Sequence, residues 1–307
     1  MTLAPHHPFR SAKARERYLA LNDRRAERWP IPSENRTIET SHGWTFMRIS
    51  GPAEAPPLVL LPGGGNHSLC WLPNIEALSA SYRTYALDSI IDIGRSSNNK
   101  PLKSGEELAD WLDELFDVLQ LGQGIRLMGL SFGGWTAAQC ALRHPERLSR
   151  LALLAPAGTV LAIKPAWLLR MLTTLMPPRR FFIKRVYSWV LADLVATGEP
   201  GRDIIEEMTE DLALAYRSFR FKRFTEVPEP SVLSDDELRL LKTPTLFMVG
   251  EHETLYSWQE ALTRLAQVAP DIVCEVVRGA GHDMTWLKSE QVNRRLLEFL
   301  DEPSTSN

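Results

Sequence analysis

The strongest constraint on how this chain folds is a repeated alternation of short, mostly apolar runs with longer helical patterns. The runs lie at 58–61, 84–87, 125–130, 148–154, 245–249 and 272–277, each bounded by turn or polar residues. Stretches at about 69–80, 105–119, 132–144 and 286–300 are long enough for helices. The second of these places Leu108, Trp111, Leu112, Leu115, Val118 and Leu119 at helical spacing. Strands with consecutive apolar residues are buried on both faces, and strands separated by helices run parallel. The expected fold class is therefore α/β, with a mostly parallel sheet flanked by helices. Such sheets present their functional groups on the loops after the strands' carboxyl ends.

The alternation breaks once. Between Pro156 and about Leu241 there is no strand signal, only helical stretches at 167–175, 181–196 and 203–224, separated by Pro177-Pro178 and Gly198-Glu199-Pro200-Gly201. Large apolar residues are frequent there, among them Trp167, Met171, Trp189 and Phe221. This reads as a helical cap over the sheet, with its own small core and a wall for an apolar pocket. Upstream, 11–28 reads as a helix that Trp29-Pro30 ends, because a residue before proline is pushed out of the helical region. A hairpin is expected over 37–50 around Ser41-His42-Gly43. The expected organisation is an N-terminal extension at 1–35, a core at 36–157 and 240–303, and a cap at 158–239.

Net charge is −3, which gives no electrostatic case for nucleic acid or an anionic membrane. The three cysteines, Cys70, Cys140 and Cys274, are too few and too scattered for a disulfide framework and fit a reducing, cytoplasmic setting. No apolar run reaches membrane-spanning length. The basic run from Lys13 to Arg28 contains Glu16, Asp23 and Glu27, so a solvated helix is expected rather than a transit peptide.

Gly129-Leu130-Ser131-Phe132-Gly133 joins an apolar run to a helical stretch. A serine on so sharp a strand-to-helix turn needs small residues two before and two after it. The turn lifts the hydroxyl above the sheet, at the positive end of a helix, so Ser131 is the expected nucleophile. A serine hydroxyl needs a base. Of the seven histidines, only His252 and His282 lie far downstream of it. His282 follows the last strand in Gly279-Ala280-Gly281-His282-Asp283, whose glycines suggest a mobile loop, and it is the expected base. His252 is expected beside the site or at the surface. The orienting acid should follow the preceding strand. Glu253 is preferred because it lies further along the turn, with Glu251 and Asp283 as rivals.

Two donors must meet the developing oxyanion. One is expected to be the N–H of Phe132, the residue after the nucleophile; the other comes from Gly63-Gly64-Gly65, with Gly64 preferred and Gly65 next. Neither a Gly-Lys-Ser/Thr sequence nor G-x-G-x-x-G is present, so this loop is not a phosphate loop. His67 could line the pocket or face solvent.

Together these residues resemble the α/β-hydrolase superfamily over nearly the whole chain. Pro62-Gly63 stands where the family has histidine-glycine, a departure that leaves the oxyanion loop intact. Within the superfamily the likeness is to bacterial carboxylesterases of the naproxen-ester-hydrolysing type. It is carried by Asp88-Ser89-Ile90-Ile91-Asp92, Trp111-Leu112-Asp113-Glu114-Leu115-Phe116-Asp117 and Gly250-Glu251-His252-Glu253-Thr254-Leu255-Tyr256. Glutamate rather than aspartate at 253 is shared with that group. The resemblance implies the α/β-hydrolase fold, with an eight-stranded-type sheet and a helical cap after the sixth strand. It also implies hydrolysis of a small, largely apolar carboxylic ester through an acyl-enzyme on Ser131, with neither metal nor organic cofactor. The same triad also serves thioester, lactone or C–C bond hydrolysis and acyl transfer, and some receptors on this fold bind small ligands without catalysis.

Overall fold

The structure is a computed structural model that describes residues 7–175, 179–220 and 226–302. Pro177-Pro178, Phe221 with the end of the expected 203–224 helix, and residue 303 of the expected core lie outside the described residues.

Among the described residues one sheet holds nine strands: β1 (Glu34–Thr40), β2 (Gly43–Ser50), β3 (Pro57–Leu61), β4 (Arg83–Leu87), β5 (Ser97–Asn98), β6 (Ile125–Leu130), β7 (Leu148–Leu154), β8 (Thr245–Gly250) and β9 (Val273–Val277). The order is β1-β2-β4-β3-β6-β7-β8-β9, with two-residue β5 paired to β2 off this path. Strands β4, β3, β6, β7, β8 and β9 are mutually parallel, whereas β1 and β2 form an antiparallel hairpin at one edge. Successive residues of β3 serve opposite faces: Val59 and Leu61 enter one core, Leu58 and Leu60 the other. The first core is filled from α3 (Gly105–Val118) and α4 (Phe132–Arg143), by Trp111, Phe116 and Trp135. The second is filled by Trp71 and Phe299. The central strands β3, β6, β7 and β8 are buried on both faces, which is why they read as continuous apolar runs.

The helices depart from expectation where local chemistry intervenes. The 69–80 stretch is a 3-10 turn at Ser68–Trp71 followed by α2 (Ile75–Ser79). Pro73 lies between them and lacks the N–H a continuous helix needs. Helix α1 (Ala12–Ala26) is not simply solvated. It buries Tyr18 and Leu21, and Arg25 and Arg28 pair with Glu207, Glu210 and Asp211.

Between β7, the sixth strand of the main path, and β8 come α5 (Pro165–Leu175), α6 (Arg180–Val190), α7 (Ala192–Ala196) and α8 (Glu199–Ser218). The expected 181–196 helix is split at Leu191, whose φ of −113° and ψ of 44° are non-helical. Helix α8 starts at Glu199, with Pro200 in its first turn where a missing N–H costs nothing. Two helices were not expected: α9 (Asp235–Leu240), opened by a Ser234–Glu237 capping box, and α10 (Trp258–Val268), capped by Ser257. The chain closes with α11 (Met284–Leu287) and α12 (Ser289–Asp301).

Candidate active site

Ser131 occupies the turn between β6 and α4 at φ 53°, ψ −116°, a strained conformation for a residue with a Cβ. Its neighbours make the turn possible. A Cβ on Gly129 would lie 2.1 Å from the Gly133 carbonyl oxygen, and one on Gly133 would lie 2.5 Å from the oxygens of Leu61 and Pro62. The turn is pinned to the end of β7: Ser131 N donates to Leu154 O (2.8 Å), and Ala157 N donates to Ser131 O (3.0 Å). The serine lines a cavity of about 300 Å³ beneath the helices that follow β7.

His282 lines the same cavity, from the loop between β9 and α11. That loop is held fast rather than mobile. A Cβ on Gly250 would lie 2.3 Å from the Gly281 oxygen, so the end of β8 and the histidine loop pack backbone on backbone. His252 N donates to Ala280 O (3.0 Å), and Asp283 Oδ1 accepts from Gly281 N (3.0 Å). Gly281 serves close packing, with a built Cβ 3.0 Å from the His252 oxygen, whereas Gly279 supplies a φ of +65°.

The three acids near the histidine have separate partners. Glu253, fully buried, accepts a hydrogen bond from His282 Nδ1 at Oε2 (2.8 Å). Its Oε1 accepts from the amides of Thr254 (2.7 Å) and Leu255 (2.9 Å). Glu251 turns outward to Arg278 (2.8 Å) and the Gly279 amide (3.0 Å). Asp283 Oδ2 accepts from Leu194 N in α7 (2.7 Å). His252 pairs with Asp193 (2.9 Å) and is half exposed.

The Glu253–His282 pair sets its own charge state. Burial pushes the carboxyl up, but the imidazole's charge and hydrogen bond, with the two amides, outweigh it and hold Glu253 below 4.5. Burial pushes the imidazole down, yet Glu253's charge and hydrogen bond, with help from Asp283, raise it above 6.5. With Nδ1 donating to the carboxylate, Nε2 of the neutral ring is left as the acceptor. Among the described residues no hydrogen bond joins Ser131 Oγ to His282; such contacts often tighten only around a substrate.

The glycine loop after β3 is braced from the loop after β4. Asp92 Oδ2 accepts from Gly65 N (2.6 Å) and its Oδ1 from Ile93 N (2.7 Å). Gly65's amide is thereby occupied. The amides of Gly64 and Phe132 have no hydrogen-bond partner among the described residues, and both residues line the cavity beside Ser131. A Cβ on Gly64 would lie 3.6 Å from the Phe132 Cβ, so the two approach closely. Sequence reasoning missed Asp92 as a brace, since only the fold brings 65 and 92 together. The buried Asp88 holds the adjacent loops through the amides of Ser68 and Arg95 (both 2.8 Å). His67 does not face solvent: it is buried against Asn22, and burial lowers its pKa. Among the described residues no group of three or more His, Cys, Asp or Glu side chains is placed to hold a metal ion.

Residues 58–295 match the model of the alpha/beta hydrolase family. The chain is 33% identical to "Carboxylesterase YbfK" of Bacillus subtilis, covering 95% of this chain and 96% of that one. It is 32% identical to "Uncharacterized carboxylesterase nap" of the same organism, over 93% and 92% of the two chains. The crystal structure of naproxen esterase (carboxylesterase NP) from Bacillus subtilis superposes with a TM-score of 0.85 at 31% identity, covering 95% of this chain and 99% of that one.

Proposed function

This chain belongs to the alpha/beta hydrolase family, and from that membership we propose that it is a serine carboxylesterase acting on small, largely apolar esters. One observation carries the reading. Ser131, His282, Gly64 and Phe132 all line one cavity, while the histidine is held from behind by a buried carboxylate. The cavity wall away from Ser131 is mostly apolar, with Trp167, Met171, Val186, Val190 and Leu191 contributed by α5, α6 and the residue that follows α6. The described residues of 158–239 act as the cap that shapes it.

His282 Nε2 takes the Ser131 proton as Oγ attacks the ester carbonyl. The amides of Phe132 and Gly64 receive the oxyanion. Glu253 fixes the tautomer and stabilises the imidazolium. The imidazolium then protonates the departing alcohol, and water attacks the acyl-enzyme by the same route. Ester hydrolysis is favoured over thioester, lactone or C–C bond hydrolysis because relatives matching nearly the whole chain carry the name carboxylesterase. Solved meta-cleavage product hydrolase and enol-lactonase structures match at 21% and 22% identity, which speaks to the fold alone. The free thiols of Cys70, Cys140 and Cys274 fit a cytoplasmic setting, and among the described residues no helix is long and apolar enough to cross a membrane.

The test pairs kinetics with labelling. Wild-type protein should hydrolyse p-nitrophenyl butyrate and gain the mass of one fluorophosphonate on the peptide containing Ser131, and Ser131→Ala should do neither. Full activity in Ser131→Ala would overturn the assignment. A substrate panel that favoured thioesters or lactones would overturn the ester preference.

A further inference from the structure

The cap carries a feature the proposed chemistry does not use. Helix α5 is apolar on two sides. Trp167, Leu168 and Met171 line the cavity. Leu169 and Leu172 do not, and they are 67% and 60% exposed. On α6, Phe181 is 67% exposed as well. Leaving such side chains in water forgoes the stabilisation that burial would bring, and a group of them marks a contact surface.

Along the stretch of chain that forms this patch the charges all have one sign, although Glu206 of the neighbouring α8 reaches two of them. From Ala155 to Ala192 there are six cations, Lys164, Arg170, Arg179, Arg180, Lys184 and Arg185, and no Asp or Glu. All six are exposed. Arg180 and Lys184 share Glu206, and Arg170 stacks 4.0 Å over the Trp189 ring. Lys164, Arg179 and Arg185 have no ion pair among the described residues. The chain's net charge of −3 argues against an anionic membrane, but it averages over this local reversal.

We propose that the outer face of α5 and α6 docks on an anionic lipid surface, with Leu169, Leu172 and Phe181 entering the acyl boundary and the surrounding cations meeting headgroups. An amphipathic surface of this kind, basic around an apolar centre, is what interfacial binding requires. Charge complementarity selects this occupant over a second copy of the chain, since two such basic faces repel. Docking would set one wall of the ester cavity against the phase where apolar esters dissolve.

The test is flotation of full-length protein with vesicles of phosphatidylcholine alone or mixed with about one-third phosphatidylglycerol. Binding is expected only to the anionic vesicles, with loss in 0.5 M NaCl, as screening at roughly a 4 Å Debye length requires. The double variant Leu169→Glu/Leu172→Glu should lower the partition coefficient by about tenfold or more, while keeping wild-type turnover of soluble p-nitrophenyl butyrate as evidence of folding. Ser131→Ala should float like wild type, so binding is read independently of catalysis. Failure of wild type to float with anionic vesicles at low salt would overturn the proposal. So would undiminished flotation of the double variant, or a wild-type dimer that the double variant dissolves.

Discussion

Glu253→Gln separates a positioning carboxylate from a merely structural one. In the native structure Glu253 Oε1 receives the Thr254 and Leu255 amides at 2.7 and 2.9 Å, and Oε2 receives His282 Nδ1 at 2.8 Å. A glutamine here has one acceptor oxygen, and the two backbone amides claim it. Its NH₂ must then face Nδ1. Two donors cannot share that bond, so Nδ1 gives up its proton and the ring carries it on Nε2, the atom that should take the serine proton. The histidine stays in place but in the wrong tautomer, and no negative charge remains behind the imidazolium. The loss expected of kcat is about 10⁴-fold, or roughly 5 kcal/mol of transition-state stabilisation. KM should be nearly unchanged, because Glu253 does not line the cavity. Stopped-flow turnover of p-nitrophenyl butyrate measures both constants, and circular dichroism confirms folding. If the variant keeps kcat within tenfold of wild type while His282→Ala is inactive, the assignment of Glu253 is wrong.

Four further outcomes follow from the same geometry. The base must be neutral to act and its pKa is raised, so the acid limb of kcat/KM is expected above pH 6.5 in a pH–rate profile. For stability, the raised His282 contributes fully below 6.5 and loses that contribution as pH rises through its folded pKa, whereas the lowered Glu253 contributes fully above 4.5 and loses it as pH falls through its own. The melting difference between wild type and Glu253→Gln should therefore be largest between pH 4.5 and 6.5. Asp92→Ala frees the Gly65 amide and loosens the glycine loop; kcat should fall about 10- to 100-fold with little change in melting, and an unchanged kcat would refute the bracing role. Gly133→Ala puts a methyl 2.5 Å from two carbonyl oxygens, which should cost about 3 kcal/mol or more in urea unfolding or prevent soluble expression.

The sheet was legible because its central strands β3, β6, β7 and β8 are buried on both faces, so their apolar character is continuous and local. Two of the helices missed were also legible. Ser257 followed by Glu260 opens 258–268, where Trp258, Ala261, Leu262, Leu265 and Val268 keep helical spacing, and Ser234 with Glu237 announces 235–240. The docking of α1 could not be read in the same way. A basic amphipathic stretch looks the same whether its arginines face water or the acids of α8, 179 to 186 residues away in the chain. The split at Leu191 likewise follows from packing, since no proline or glycine marks it.

At the site, the legible residues are those whose role is enforced within a few positions of themselves. Ser131 needs Gly129 and Gly133 because the turn collides with itself and with the end of β3. His282 follows from chain order. The acid is less sharply fixed, because Glu251 and Glu253 both follow β8, as chain order asks, and Asp283 sits beside the histidine on the loop after β9. Their partners separate them. Glu251 is claimed by Arg278 and Gly279 outside, Asp283 by Leu194 and its own loop, and only Glu253 has an oxygen left for the imidazole. The oxyanion donors divide by the same logic: once Asp92 takes the Gly65 amide, Gly64 is the glycine of that pair whose N–H is still unpaired. Asp283 also ties the histidine loop directly to α7 of the cap. With His282 as the proposed base, this hydrogen bond places a cap helix one residue from it in the chain.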